Sequence, residues 1–343
     1  MRSMKFEVDG KQTTCYFGQA KSFLKELSHS KKIVLITDEH VYKSHPRLFY
    51  SWKTIVLKPG EKYKQQSTID QIISQLIEMK ADRQTFLVGV GGGVITDMTG
   101  YAASIYMRGV SVGFIPTSLL AMVDASLGGK NGVDVGLYKN LVGTIRQPEF
   151  LLYDVSLLKT LPQAEWENGF AEIIKHACIQ DATMFRQLEA TPMATWQKKS
   201  LLLTDLIRKN VRIKMKIVMS DPYEKNERKW LNFGHTLGHA LENMHELSHG
   251  KAITIGMTYA SCVSMIYTGF KSVDRVVDLI AQYNLPSFAR FDLKPVMDML
   301  AMDKKMQDGH INYVLLNKIG KAEIQPITTR ELTQVFERIQ TNL

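Results

Sequence analysis

The sequence predicts an α/β protein with a parallel-sheet domain at its N-terminus and a mostly α-helical domain after it. Apolar runs alternate with a helical stripe in the first half, and helical periodicity dominates the second half. Strand–helix–strand alternation is typical of a parallel sheet with helices on both faces. We place the first domain at residues 1–155 and the second at residues 156–343. A cleft between two such domains is a favoured place for ligands.

The predicted strands of the first half are short apolar runs that end in turn residues. They are KKIVLITD (31–38), KTIVLKPG (53–60), TFLVGVGG (85–92) and VSVGFIPTS (110–118). The segment STIDQIISQLIEMKA (67–81) repeats its isoleucines and leucines at helical spacing, with Ser67 as the expected N-cap. In the second half we expect helices, apart from a hairpin at 311–324 that turns around Lys318–Gly320.

Composition excludes several classes of protein. Of the 343 residues, 45% are hydrophobic and 22% charged, which is typical of a globular protein. No apolar run reaches the roughly 20 residues of a membrane helix, and the N-terminus has no apolar signal core. Cys15, Cys178 and Cys262 are scattered and odd in number, which favours a reducing cytoplasm over a disulfide framework. We therefore expect a cytoplasmic protein without membrane attachment.

The net charge of +9 raises the question of an anionic partner. The lysines are spread along the chain, without an arginine-rich tail or an aromatic-basic cluster. This distribution favours an anionic small molecule over a nucleic acid.

A glycine-rich stretch, VGVGGGVITDMTG (88–100), follows the third predicted strand and precedes a helical pattern. Glycine lets backbone N–H groups approach a pyrophosphate, and a helix N-terminus adds partial positive charge, as in Rossmann-like domains. The GxGxxG fingerprint would need glycine at Val94, so a simple glycine turn at a sheet edge remains the alternative. Asp97 is either a first-turn acid that complements the helix dipole or an acceptor for a bound dinucleotide.

Four histidines in LNFGHTLGHALENMHELSHGKA (231–252) point to a metal, since imidazole is a favoured zinc ligand. Spacing suggests His235 with His239, or His245 with His249, and does not choose between the pairs. HExxH is absent, which weighs against a zinc peptidase. Glu172, among apolar neighbours in NGFAEIIKHA (168–177), is a candidate third ligand, with Lys175 as its alternative partner.

A third polar group lies in VDASLGGKNGVDVGLYKNLVG (123–143), between two glycine-rich turns. Lysines held beside asparagine in such turns suit phosphate or carboxylate oxygens better than freely solvated lysines. The side chains concerned are Asp124, Lys130, Asn131, Lys139 and Asn140.

Together these stretches resemble the 3-dehydroquinate synthase family of sugar-phosphate cyclases. The matching segments span residues 59–257 in family order and include PGEKYK, GGGVITDMTGYAASIYMRG, IPTSLLAMVDASLGGKNGVD, YKNLVGTI, LKTLP, GFAEIIKHA, LNFGHTLGHALE and HGKAITIGM. The resemblance implies conversion of 3-deoxy-D-arabino-heptulosonate 7-phosphate into 3-dehydroquinate and phosphate, in the shikimate pathway. It also implies NAD, Zn2+ or Co2+, and a homodimer.

The resemblance further implies the roles of individual residues. The metal ligands would be Glu172, His235 and His249, with His239 facing the substrate. Catalytic residues would be Lys130, Lys175, Arg228, Asn232 and His239, and substrate contacts would be Arg108, Asp124, Lys130, Lys139, Asn140 and Lys214. Cofactor contacts would be Gly60, Glu61, Lys64, Gly91, Gly92, Gly93, Val94, Ile95, Thr96, Asp97, Thr117, Ser118, Lys130, Lys139 and Thr160.

Two positions depart from the family pattern. Lys251 stands where the family usually has glutamate after its HG pair, which alters the charge beside His249. The segment before Arg228 reads EKNER in place of the usual glycine, and we expect Asn226 to adopt the left-handed conformation that glycine would. A metal-dependent polyol or alcohol dehydrogenase and a cyclase for another sugar phosphate remain the alternatives.

Overall fold

A computed structural model describes residues 2–136, 138–245, 247–302, 306–307 and 310–342. Its strands are β1 (Arg2–Val8), β2 (Lys11–Phe17), β3 (Lys32–Asp38), β4 (Lys53–Leu57), β5 (Thr85–Gly91), β6 (Val112–Pro116), β7 (Lys130–Val135), β8 (Tyr138–Ile145), β9 (Phe150–Tyr153), β10 (Met306–Gln307), β11 (His310–Lys318) and β12 (Lys321–Thr328). Its α-helices are α1 (Ala20–Ser28), α2 (Glu39–Ser44), α3 (Gln66–Glu78), α4 (Gly93–Ile105), α5 (Gln163–Gln180), α6 (Ala182–Glu189), α7 (Met193–Lys198), α8 (Ser200–Ser220), α9 (His235–Met244), α10 (His249–Tyr267), α11 (Val273–Gln282), α12 (Leu293–Met302) and α13 (Thr329–Asn342).

The chain divides into two compact units, and the first is discontinuous in sequence. It comprises Met1–Trp166 together with Lys199–Pro222, so the long helix α8 belongs to it. The second unit comprises Glu167–Lys198 and Tyr223–Leu343. Among the described residues, no helix is both long and apolar enough to span a membrane.

A seven-stranded sheet forms the centre of the first unit, in the order β1-β2-β9-β6-β5-β3-β4. β1 and β2 are antiparallel, and every other neighbouring pair is parallel. The four predicted strands are confirmed as β3, β4, β5 and β6, and the α/β class is confirmed with them. β5 and β6 are buried along their whole length, as strands covered on both faces must be.

The order of the strands reverses direction at β3, because β4 lies on one side of it and β5 on the other. In open parallel sheets, ligands bind beyond the carboxyl ends of the strands at such a reversal. β5 ends at Gly91, which places the glycine-rich stretch at this point of the sheet.

The predicted helix over 67–81 is confirmed as α3, but its predicted N-cap is wrong. Gln65 is the N-cap and makes no side-chain capping bond, while Ser67 lies inside the first turn. Gln65 is extended and forms a parallel bridge with Asp134, so the pairing of the backbone sets where the helix begins.

The second unit is mostly helical in its described part, as predicted. The predicted hairpin is confirmed: β11 and β12 pair antiparallel around a turn at Ile319–Gly320, where Gly320 has φ of 86°. Helix α10 packs on both α9 and α11 and contacts β11, so it forms the centre of this unit. Its residues from Ala252 to Ser261 are all buried.

Candidate active site

Three helices of the second unit bring a carboxylate and two imidazoles together. Glu172 lies within α5, His235 begins α9 and His249 begins α10. One ligand atom from each of the three lies within 4.8 Å of the others. The spacing of the histidines left two pairs open, and the structure instead combines one histidine from each pair.

Glycines allow α9 and α10 to approach closely enough for this grouping. Gly234 precedes α9 with φ of 80°, a left-handed conformation that suits glycine. A Cβ atom on Gly256 would overlap the carbonyl oxygen of Gly234, and one on Gly238 would lie 3.0 Å from the carbonyl oxygen of Ala252. Larger residues at these positions would push the two histidine-bearing helices apart.

The Glu172 carboxylate is fully buried and is surrounded by cationic or imidazole groups. Its Oε1 atom lies 3.1 Å from Nε2 of His249 and 3.5 Å from Nε2 of His235. Its Oε2 atom forms an ion pair with Nζ of Lys175, which is itself 1% exposed. Because an isolated buried charge is very costly, these neighbours offset the cost of burying the Glu172 carboxylate.

The two histidines differ in their protonation. Burial, followed by the Lys175 cation, lowers the pKa of His235 well below its usual value, which leaves the imidazole neutral and suited to a metal. Burial also lowers the pKa of His249, but hydrogen bonds with Glu172 and Glu242 outweigh it and raise the value to about 9. Two imidazoles and one carboxylate are a typical donor set of catalytic zinc, and these residues fit that ion once His249 has lost its extra proton on metal binding.

His239 lies beside this group on an exposed position of α9. Its ring centroid is 5.0 Å from that of His235 and 6.3 Å from that of His249. His245 is exposed and forms the C-cap of α9. The structure therefore places His239, but not His245, next to the Glu172 group.

Glu242 is a residue of this group that the sequence reasoning missed. Its Oε2 atom lies 3.3 Å from Nδ1 of His249, so it orients the ring whose Nε2 atom faces Glu172. A carboxylate on the far nitrogen of a metal-binding histidine fixes the tautomer of the ring. Glu242 follows His235 and His239 at helical spacing, and that shared face was the available signal.

The segment before α9 holds two further predicted residues. Arg228 is 2% exposed in a 3₁₀ segment, Glu227–Asn232, and Nδ2 of Asn232 donates to Oε1 of Glu224 at 2.6 Å. The expected left-handed Asn226 is wrong: its φ is −132°, and Glu224 has the positive φ, 58°. Lys251 is exposed on the first turn of α10.

In the first unit, the glycine stretch joins β5 directly to α4. Gly92 is the N-cap, and α4 begins at Gly93 with Val94, Ile95 and Thr96 in its first turn. Asp97 therefore lies one position beyond the first turn, and the first-turn interpretation of this acid is wrong. A helix N-terminus at the strand reversal provides backbone N–H groups for an anion.

Gly92 stands apart from the glycines beside it. A Cβ atom on Gly91 would lie 2.6 Å from Cβ of Ile95, and one on Gly93 would lie 3.0 Å from Cβ of Ala125. A Cβ atom on Gly92 would meet only the Ser118 side chain, at 3.5 Å from Oγ. Packing within the described protein therefore explains glycine at 91 and 93 but not at 92.

Several other predicted cofactor residues of this unit follow strands of the same parallel sheet. Gly60, Glu61 and Lys64 follow β4, while Thr117 and Ser118 follow β6. The carboxyl ends of parallel strands share one edge of the sheet, so these residues lie along the same edge as the glycine turn. Thr160 ends a 3₁₀ segment after β9, and its Oγ1 atom lies 3.0 Å from Nε2 of His45.

A buried cation lies at this edge. Nζ of Lys64 is 2.7 Å from Oδ2 of Asp97 and 3.8 Å from Oε1 of Glu61, and it donates to Oδ1 of Asn140 at 2.5 Å. Burial raises the pKa of Asp97 to about 6, although Lys64 opposes this rise. Asp97 is therefore mostly ionised at neutral pH and forms a true ion pair with Lys64.

The remaining predicted substrate residues divide into two sets. Asp124 lies in a π-helical turn, Ala121–Ala125, and Nζ of Lys214 donates to both its Oδ1 and its carbonyl oxygen at 2.7 Å. Lys130, Lys139 and Arg108 are exposed. Among the described contacts, Arg108 contacts neither the Lys64–Asp97 ion pair nor the Asp124–Lys214 ion pair.

The Lys64–Asp97 pair yields a prediction about titration. Lys64 lowers the pKa of Asp97 against the larger effect of burial, so Lys64→Met should raise the pKa of Asp97 above its value of about 6. The carboxyl group should then be largely protonated at neutral pH. Carbon NMR titration of labelled aspartate measures this value, and an unchanged or lower pKa would contradict the assignment.

Comparison with known proteins agrees with this arrangement. Residues 54–168 match the family of 3-dehydroquinate synthase N-terminal domains, and residues 169–306 match that of 3-dehydroquinate synthase C-terminal domains. The 3-dehydroquinate synthase of Pyrococcus furiosus is 36% identical over 316 residues, which cover 89% of this chain and 92% of that protein. The one from Dehalococcoides mccartyi is 35% identical and covers 99% of this chain and 100% of that protein.

A solved structure shows the same fold over the whole chain. It is the 2-epi-5-epi-valiolone synthase of Streptomyces hygroscopicus subsp. jinggangensis with NAD+ and Zn2+ bound, at 24% identity and a TM-score of 0.87, with all of both chains covered. The likeness in sequence covers both units and every segment that supplies the residues above. This chain belongs to the 3-dehydroquinate synthase family.

Proposed function

We propose that this protein is a 3-dehydroquinate synthase, which converts 3-deoxy-D-arabino-heptulosonate 7-phosphate into 3-dehydroquinate and phosphate. The observation that carries the proposal is the group formed by Glu172, His235 and His249 in a chain of this family. The basic excess of the chain suits a substrate with both a carboxylate and a phosphate. We expect no nucleic-acid partner.

The residues fit both groups that the reaction needs. The proposed ligands of zinc, or of cobalt in its place, are Glu172, His235 and His249. The proposed NAD contacts include Gly92, Lys64 and Asp97 at one edge of the sheet, together with Lys130 and Lys139 on β7 and β8. When bound, NAD accepts and returns a hydride at C5 of the substrate, and the metal polarises substrate oxygens as a Lewis acid. The α4 N-terminus offers its N–H groups to the pyrophosphate.

The protein's own side chains then orient the substrate and move protons. His239 is exposed beside the Glu172 group, where its imidazole is suited to proton transfer during loss of phosphate. Lys175 on α5, and Arg228 and Asn232 in the segment just before α9, are further polar side chains that we assign to this chemistry. Arg108, Lys130, Lys139, Asn140 and Lys214 are the cations and amide that we assign to the carboxylate and phosphate oxygens.

A phosphate-release assay tests this function. Purified protein with NAD, zinc and the heptulosonate phosphate should release phosphate without net formation of NADH, because the hydride returns to the intermediate. Net NADH from a polyol would instead indicate a dehydrogenase. Phosphate release only from another sugar phosphate would indicate a related cyclase, so both alternatives have distinct outcomes.

Two alanine variants distinguish the proposed metal ligand His249 from the proposed proton-transfer residue His239. His249→Ala removes a proposed ligand and should lower zinc content, while His239→Ala should keep zinc and lose about 10²–10⁴ in rate, the usual effect of removing a proton-transfer group. Elemental analysis and single-turnover phosphate release measure the two effects. Full zinc in His249→Ala, or lost zinc in His239→Ala, would reverse the assignment.

Gly92 provides a test of the cofactor site with little disturbance of the fold. Since a Cβ atom there meets only the Ser118 side chain, Gly92→Ala should fold normally, and Gly92→Val should place more bulk where we expect the pyrophosphate. NAD affinity should fall in the order wild type, alanine, valine, by more than about tenfold for valine as anion hydrogen bonds weaken. Calorimetric titration measures affinity, thermal unfolding is the control, and equal affinities would show that the turn is only structural.

We also propose a cytoplasmic homodimer. The free cysteines, with Cys15 and Cys178 buried, support a reducing compartment. Within the described residues β8 pairs only with β7, and it exposes four apolar side chains on its two faces. These are Tyr138, Leu141, Val142 and Ile145, which are 38–69% exposed. An unpaired strand edge with apolar side chains is a surface that a second copy can cover symmetrically.

Charge on this strand should break the dimer. Ile145→Asp places a carboxylate in the proposed interface and should shift the sedimenting species from dimer to monomer. Leu201→Asp is the matched control, because Leu201 is 83% exposed and lies on α8. A monomeric wild type, or a dimer that survives Ile145→Asp, would refute this interface.

A further inference from the structure

Three residues at the edge of the first unit form a closed ring of hydrogen bonds. The backbone N–H of Asp134 donates to the carbonyl oxygen of Lys64 at 2.8 Å. The backbone N–H of Asn140 donates to Oδ1 of Asp134 at 2.7 Å, and Nζ of Lys64 donates to Oδ1 of Asn140 at 2.5 Å. Asp134 therefore fixes the main chain at Lys64, and it also fixes Asn140, which accepts the hydrogen bond from the Lys64 side chain.

The β-structure around Asp134 is irregular in a way that favours this contact. In the pairing of β7 with β8, Val133 lies opposite Val142 and Val135 lies opposite Tyr138, with a register shift between them. Asp134 thus stands at the irregularity and pairs instead with Gln65, next to Lys64. Bulges of this kind redirect a side chain and recur near functional sites.

Asn140 needs support because its backbone is left-handed, with φ of 53°. This conformation is uncommon for residues other than glycine, although asparagine tolerates it better than most. Asn140 is also exposed, so packing does not hold it. The hydrogen bond from its N–H to the Asp134 carboxylate supplies that restraint.

We propose that Asp134 is a positioning residue, which holds Lys64 for the cofactor and Asn140 for the substrate through this hydrogen-bonded ring. The inference rests on the function proposed above. Asp134 does not touch the reacting atoms; it acts through the two residues that it orders. The competing explanation is that Asp134 merely adds negative charge near the buried Lys64.

Two substitutions separate geometry from charge. Asp134→Asn keeps an Oδ1 acceptor for the Asn140 N–H and removes the charge, whereas Asp134→Glu keeps the charge and moves the carboxylate by one methylene. Asp134→Ala removes both. Asp205→Ala, at an exposed aspartate on α8 in the same unit, is the control.

The experiment measures NAD affinity by calorimetry, the KM and kcat of phosphate release, and thermal unfolding for each variant. We expect NAD affinity to fall and KM to rise by about tenfold in Asp134→Ala and Asp134→Glu, the effect of losing the hydrogen bond that restrains Asn140. Asp134→Asn should stay within about threefold of wild type, since it keeps the acceptor. Zinc content and kcat should change little in all variants.

Three results would overturn the inference. They are wild-type affinity and KM in Asp134→Ala, a defect in Asp134→Asn as large as in Asp134→Ala, or wild-type behaviour of Asp134→Glu. If Asp134→Ala unfolds, comparison of Asp134→Asn with Asp134→Glu still distinguishes the positioning role from a simple effect of charge. Absence of phosphate release by the wild type would refute the proposed function, while the NAD titrations would still test the ring.

Discussion

The buried carboxylate of Glu172 is the constraint on which the second unit depends. It is fully buried, and removing a carboxylate from water is so costly that it must be matched by opposite charge or hydrogen bonds. Lys175 comes from one turn away on α5, but the two histidines come from α9 and α10, so these helices must converge on α5. The glycine contact between Gly234 and Gly256 is a consequence of that requirement, because it brings α9 and α10 close together.

The first unit also buries a charged group that must be matched by opposite charge and hydrogen bonds, but here the buried group is a cation. Lys64 is 4% exposed, and its charge is balanced by Asp97 and Glu61 and by the amide of Asn140. Groups that are already ordered and desolvated by the protein need little rearrangement when a charged ligand arrives. Both clusters are therefore preorganised, and each is held by contacts between segments that are distant in sequence, such as the 76 positions between Lys64 and Asn140.

Much of the fold was predictable from the sequence because buried strands and amphipathic helices leave periodic patterns. β3 to β6, α3 and the β11–β12 hairpin all followed from such patterns. Predictions failed where tertiary contacts decide local structure. Ser67 has good capping chemistry, yet the bridge between Gln65 and Asp134 starts the helix earlier. Asn226 tolerates a left-handed backbone, yet the chain places its positive φ at Glu224, whose carboxylate accepts from Asn232.

The sequence identified the individual residues of the site, but it did not show which of them come together in space. Spacing within one helix joined His235 to His239, but α9 ends at Met244 and α10 begins at His249, so the two histidines of the group come from different helices. Only the family motifs chose that combination. Glu242 and Asp134 each end one of the family motifs, but the motifs do not show what either residue does. Glu242 contacts the ring of His249, and Asp134 accepts from the backbone of Asn140. The roles of such residues become visible only when hydrogen bonds across the fold are known, and these contacts determine how firmly the other residues of the motifs are held.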